Sequence, residues 1–283
     1  MTTVATPVES SFAEYIQDSS AREDSPHAWH IASLQCRIEE GDPLIDDLAQ
    51  YLREAYGEKI ILEAVISVED NFDLERVREG IRKGLPDPGE EGNKPDHLKN
   101  FRSETAELLA KKTLSEIFGV KFPVHAQEGK RNATQPVLGF DAGGFVEVDG
   151  EHYLALVETK GTEDTSVPPS VVDDLAEECR NIPQSDSKIS RSLGMIGTRV
   201  DDEEITSVVA SLLEKIGNDE DLEMVISPVV GRGSSDPDFK DLSPVIEVCH
   251  DLEPNRGRGV SVSVGVELLK FAEAVTINAL PEE

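Results

Sequence analysis

The chain has 283 residues, 38% of them apolar, and its 57 Asp and Glu against 27 Lys and Arg give a formal net charge of -30. That apolar content excludes a disordered acidic tail, and no run reaches the roughly 18 consecutive apolar residues of a membrane span; the richest, 60–68, is broken by Glu63. Three scattered cysteines, Cys36, Cys179 and Cys249, make neither a disulfide framework nor a CxxC site, and the first residues lack a basic-then-apolar leader, so a cytoplasmic protein with no membrane partner is expected.

Residues 1–25 are rich in Ser, Thr, Asp and Glu with little periodicity and are expected to form a flexible acidic arm. A strand is expected over 31–38, a helix over 43–56, a strand over 60–68 and a helix over 73–83. Three Pro and three Gly within 84–95 mark a linker or long surface loop. A helix over 101–118, stopped by Gly119, leads into apolar alternation at 138–160. Beyond Pro168 and Pro169 the pattern predicts a helix over 171–181, a strand over 193–198, a helix over 202–216 and a strand over 222–230. Gly-, Asp- and Arg-rich loops occupy 231–243 and 254–259, and 260–280 reads as a strand running into a last helix. Alternating strands and helices imply an α/β fold, a mixed β-sheet flanked by helices on both faces. The expected organisation is the arm at 1–25, a smaller N-terminal α/β portion with linker at 26–97, and the main domain at 98–283.

Acid is spread over nearly every segment and aromatics are only 5%, a composition that resembles proteins of salt-accumulating halophilic archaea. At molar salt the Debye length is about 3 Å, so the net charge does not exclude a nucleic-acid substrate.

The chemistry concentrates in 139–160, where Asp149-Gly150 separates two alternating runs. A type I′ turn needs positive φ at both central residues, which this pair tolerates. With 149 and 150 at the turn, Val148 faces Glu151, Asp141 lies directly opposite Glu158, and Lys160 shares their face. Directly opposed residues have Cβ atoms about 4.5–5.5 Å apart. The chain holds four acid-x-Lys tripeptides, but only Glu158-Thr-Lys160 ends an apolar strand. Like charges opposed across a ladder repel unless a cation or proton lies between them. Mg²⁺, a hard cation that takes one or two carboxylates beside phosphate oxygens, suits the pair; a strand end ion-paired by Lys160 is the alternative.

The stretch 108–140 carries Lys111, Lys112, Lys121, Lys130 and Arg131 against Glu116 and Glu128, a local charge of +3. Lys111, Lys112, Lys130 and Arg131 are expected to contact nucleic-acid phosphates, with a chance lull in acidity as the alternative. His27, His30 and Cys36 lack a fourth zinc ligand at finger-like spacing, and the Gly/Arg runs at 231–235 and 255–259 are not phosphate loops, so both read as structural.

An Asp on one strand, Glu-x-Lys on the next and a Glu on the preceding helix resemble the PD-(D/E)xK, or restriction-endonuclease-like, nuclease superfamily, with Phe140 in place of its Pro. The resemblance implies a restriction-endonuclease-like sheet with Asp141 and Glu158 as ligands of Mg²⁺ or Mn²⁺. It also implies that Lys160 orients the attacking water or stabilises phosphorane charge, in hydrolysis of DNA or, as the other candidate, RNA. On the helix, Glu107 borders the apolar stripe of Ala106, Leu109, Ala110, Thr113, Leu114 and Ile117, while Glu104 points further out. Glu107 is therefore the expected third acid, and an i,i+4 pair with Lys111 is its alternative. Over roughly 35–250 the chain also resembles the nuclease subunit family of the Hachiman anti-phage system, with Val157 where a Gly is expected. That resemblance implies antiviral defence and a helicase partner. A catalytically inactive nuclease-like interaction module in a multi-protein complex is the alternative function.

Overall fold

The structure, a computed structural model, describes residues 12–39, 41–68, 72–123, 140–197 and 203–281. Its described strands form one six-stranded mixed sheet in the order β1-β2-β6-β5-β4-β3. The strands are β1 (Ile16–Asp24), β2 (His27–Leu34), β3 (Ala142–Val148), β4 (Glu151–Thr162), β5 (Met224–Arg232) and β6 (Arg256–Ser263). The four central strands, β2, β6, β5 and β4, run parallel, and the two edges, β1 and β3, are antiparallel.

Helices cover both faces, as parallel strands require. On one side lie α1 (Pro43–Ala55), α4 (Asn100–Phe118) and α9 (Leu268–Ala279), whose Leu44, Leu48, Leu108, Leu109 and Phe271 pack with Val157, Val229 and Val260. On the other lie α5 (Val171–Asn181), α6 (Asp186–Gly197), α7 (Glu203–Gly217) and α8 (Ser243–Asp251), whose Leu175, Leu193 and Val245 pack with Leu154, Leu156 and Ile226. Local chemistry starts and stops these helices. Asp42 caps α1 by accepting the N–H groups of Leu44 and Ile45 at 3.0 and 3.3 Å, with Pro43 in the first turn. Gly119 ends α4 in the left-handed conformation, φ 67°.

Several expectations are corrected. Within the predicted arm, Phe12–Tyr15 is a 3-10 turn and Ile16–Asp24 is an edge strand, almost wholly exposed, so it carries no alternation to read. β2 begins at His27, ahead of the predicted 31–38, and joins the same sheet as the strands of the supposed main domain. The run 60–68 belongs to a helix, α2 (Glu58–Val68), with Ile60, Ile61 and Ile66 exposed, followed by α3 (Leu74–Arg82). Of the run 193–198, residues 193–197 close α6 and 198 lies outside the described residues; the buried Ile189, Leu193 and Ile196 show a helical spacing that only a longer window reveals. Residues 256–259, expected as loop, start β6; a Cβ at Gly257 or Gly259 would stand 2.6 or 2.8 Å from the Trp29 ring, so the glycines admit that indole into the sheet. No described helix is long and apolar enough to cross a membrane.

Candidate functional site

Asp149 and Gly150 take φ 56° and 83°, the positive values of a type I′ turn. The register runs from Val148 opposite Glu151 to Ala142 opposite Val157 without a bulge, despite Gly143 and Gly144. One step further, Asp141 faces β4 beside Glu158, and its Oδ2 accepts the Thr159 N–H at 2.7 Å. Phe145, Leu154 and Leu156, on the same face as Asp141 and Glu158, pack under α5 and α6, whereas Val146, Ala155 and Val157 pack under α1, α4 and α9. Asp141, Glu158 and Lys160 therefore come together at the open end of the hairpin, on the α5 side.

Helix α5 adds a residue that nothing in the sequence singles out. Glu178 receives Lys160, whose Nζ stands 2.7 Å from both Oε1 and Oε2. Lys188 of α6 is 5.4 Å from the centre of the Phe140 ring, and its charge acts on Glu158. The signal for Glu178 lies in three dimensions alone: it borders the buried stripe Val172, Leu175, Ala176 and Cys179 that seats α5 on the sheet.

Burial and crowding set the electrostatics. Glu158 is only 8% exposed, and its carboxyl is pushed up to about 8 by burial first, then by the charges of Asp141 and Glu178. Asp141 is pushed up to about 6 by burial, partly offset by the Thr159 N–H and the Lys160 charge. Burial alone would lower the Lys160 ammonium, but the Glu178 hydrogen bond and the three surrounding carboxylates outweigh it and raise the group. The donor set on β3 and β4, two repelling carboxylates in a poorly solvated pocket, fits a hard divalent cation, which would relieve the strain that protons otherwise relieve.

The other expected site residues have surroundings of their own. Glu104, expected to point out, is 1% exposed and accepts the Tyr56 hydroxyl at 2.8 Å. Glu107 is half-buried; the Tyr56 hydroxyl is raised by burial first, then by Glu104 and, after it, by the charge of Glu107. Helix α4 has no single wet face, because it packs against α1, α9 and the sheet. Glu178 is an acid whose charge acts on both Asp141 and Glu158. Lys111 is completely buried, which removes it from any exposed phosphate-binding surface, and its charge acts on Asp141. Lys112 places its ammonium 4.3 Å over the Tyr51 ring. Lys130 and Arg131 lie outside the described residues. Arg232, in the run 231–235, is 1% exposed and held by the Ser166 carbonyl at 3.1 Å and Asp241 at 3.7 Å, a structural role.

Among the described residues, the one group that brings three possible ligand atoms of His, Cys, Asp or Glu within 4.8 Å of one another is His27, His250 and Glu253, near the starts of β2 and β6. His27 Nδ1 accepts the Gly257 N–H at 2.8 Å, so the neutral ring carries its proton on Nε2, the atom facing Glu253 at 3.5 Å. That tautomer leaves no lone pair for a metal. His30 meets the Phe118 ring edge-on at 5.0 Å, apart from any such group.

No curated protein matches the chain. A family model, HamA, matches residues 10–242, a span that holds the hairpin, α4 and α5 and stops before α8, β6 and α9. The chain thus belongs to the HamA family, a component of the Hachiman anti-phage defence system.

Proposed function

We propose that this chain is the nuclease component of its defence system, hydrolysing phosphodiester bonds of DNA with Mg²⁺ or Mn²⁺. The observation that carries the reading is the half-buried Asp141 and the buried Glu158 on one face of the hairpin, with Lys160 beside them. A bound divalent cation would supply Lewis acidity and a nucleophilic water at neutral pH. Asp141 and Glu158 would hold it, and the Thr159 N–H keeps one Asp141 oxygen committed so that the carboxylate cannot turn freely. Lys160 keeps its ammonium charged, so its Nζ offers a proton donor and a positive charge to a phosphate whose negative charge grows during in-line attack. Family membership supports a helicase as the partner. The test is plasmid nicking by purified protein with Mg²⁺ or Mn²⁺ in molar KCl, where the charge of -30 is screened. Activity in the wild type and its loss in Lys160→Ala support the reading; equal nicking by both sinks the catalytic assignment, and the absence of a Mn²⁺ site that depends on Asp141 and Glu158 returns the chain to an inactive interaction module.

A further inference from the structure

Lys160 has a flexible four-carbon stem and three carboxylates within its field, Asp141, Glu158 and Glu178. Two of them are the proposed cation ligands, and an ammonium resting on those oxygens would compete with the cation for them. The structure shows Lys160 elsewhere, with both Glu178 oxygens 2.7 Å from Nζ. Glu178 is well placed to hold it, because the next residue, Cys179, is fully buried and pins that turn of α5 against the sheet. The adjacent acid, Glu177, is engaged along its own helix with Arg180 and Asn181, so Glu178 alone of the two turns to the site.

We propose that Glu178 is a positioning residue: it holds the Lys160 ammonium off Asp141 and Glu158, keeping those carboxylates available to a divalent cation. The inference rests on the metal-site reading above. Without Glu178 the ammonium swings onto the ligand carboxylates, so the cost of losing Glu178 must pass through Lys160.

A double-mutant cycle reads this directly, as Mn²⁺ affinity measured by calorimetry in molar KCl on the full chain without DNA. Glu178→Ala is expected to weaken Mn²⁺ by about tenfold, the scale for losing an outer partner of a metal site. In a Lys160→Ala background the same change is expected to cost less than about twofold, because the competitor is gone. Glu178→Gln, which keeps the shape and one acceptor, is expected to fall between, and its melting curve guards against a folding defect in the alanine variant. An equal cost in both backgrounds would make Glu178 a ligand or a through-space charge and overturn the proposal. An unchanged affinity in Glu178→Ala overturns it as well. Wild-type protein that binds no Mn²⁺, or binds it as well after Asp141→Ala, withdraws the metal site itself and this inference with it.

Discussion

Two clusters of possible metal ligands occupy different parts of the sheet, and hydrogen-bond direction separates them. At His27, His250 and Glu253 three candidate ligand atoms already lie within 4.8 Å, yet the Gly257 N–H takes the free lone pair of His27 and leaves a proton where a metal would bind. At the hairpin the Thr159 N–H takes one Asp141 oxygen, and a carboxylate still has lone pairs to spare. Counting ligand types therefore misleads; the state of each donor atom decides whether a site can hold a cation.

The largest effect expected to test that contrast is on catalysis. Lys160→Ala should lower the turnover of plasmid nicking by about 100-fold or more, the range for removing a group that stabilises transition-state charge. His27→Ala should leave Mn²⁺ affinity unchanged while lowering stability by about 1–3 kcal/mol, because the Gly257 N–H is orphaned in the interior; calorimetry and denaturant unfolding read the two separately. A loss of Mn²⁺ binding there would reverse the comparison.

The two clusters also impose opposite slopes of stability against pH. Asp141 and Glu158 titrate higher in the folded state than in the unfolded chain, up to about 6 and about 8, so between their ordinary values and these the native state binds more protons and stability falls as pH rises. His27 titrates lower than its ordinary 6.5, chiefly through burial and then the His250 charge, so the unfolded state binds more protons below 6.5 and stability falls as pH drops. Asp141→Asn with Glu158→Gln should flatten the alkaline loss and leave the acid loss, in melts at a series of pH values without divalent metal. The smallest effect belongs to the turn that sets the acid pair opposite each other. Gly150→Ala, at φ 83°, should cost about 1–2 kcal/mol in a melt while nicking persists, since β3 and β4 keep their register through seven residue pairs.

What was legible in the sequence was carried by local chemistry. The Asp149-Gly150 turn, the register of the hairpin that it sets and the Gly119 stop of α4 depend on a few neighbouring residues and their allowed φ, and the structure repeats them. β1 escaped notice because an exposed edge strand need not alternate, and charged residues along it discourage pairing with other chains. α2 misled because its β-branched, apolar residues suit a strand, while as a helix it leaves Ile60, Ile61 and Ile66 in water.

The sequence by itself determined one hairpin, its register and the residues Asp141, Glu158 and Lys160 on one face, since period-2 alternation and a two-residue turn leave no freedom in that choice. Only the tertiary structure decided that Glu178 meets Lys160, that Lys111 and Glu104 are buried, and that His27 faces His250 and Glu253. These meetings join residues far apart in the chain, and which face of α4 or α5 is covered depends on what packs against it, a fact that no window of sequence contains.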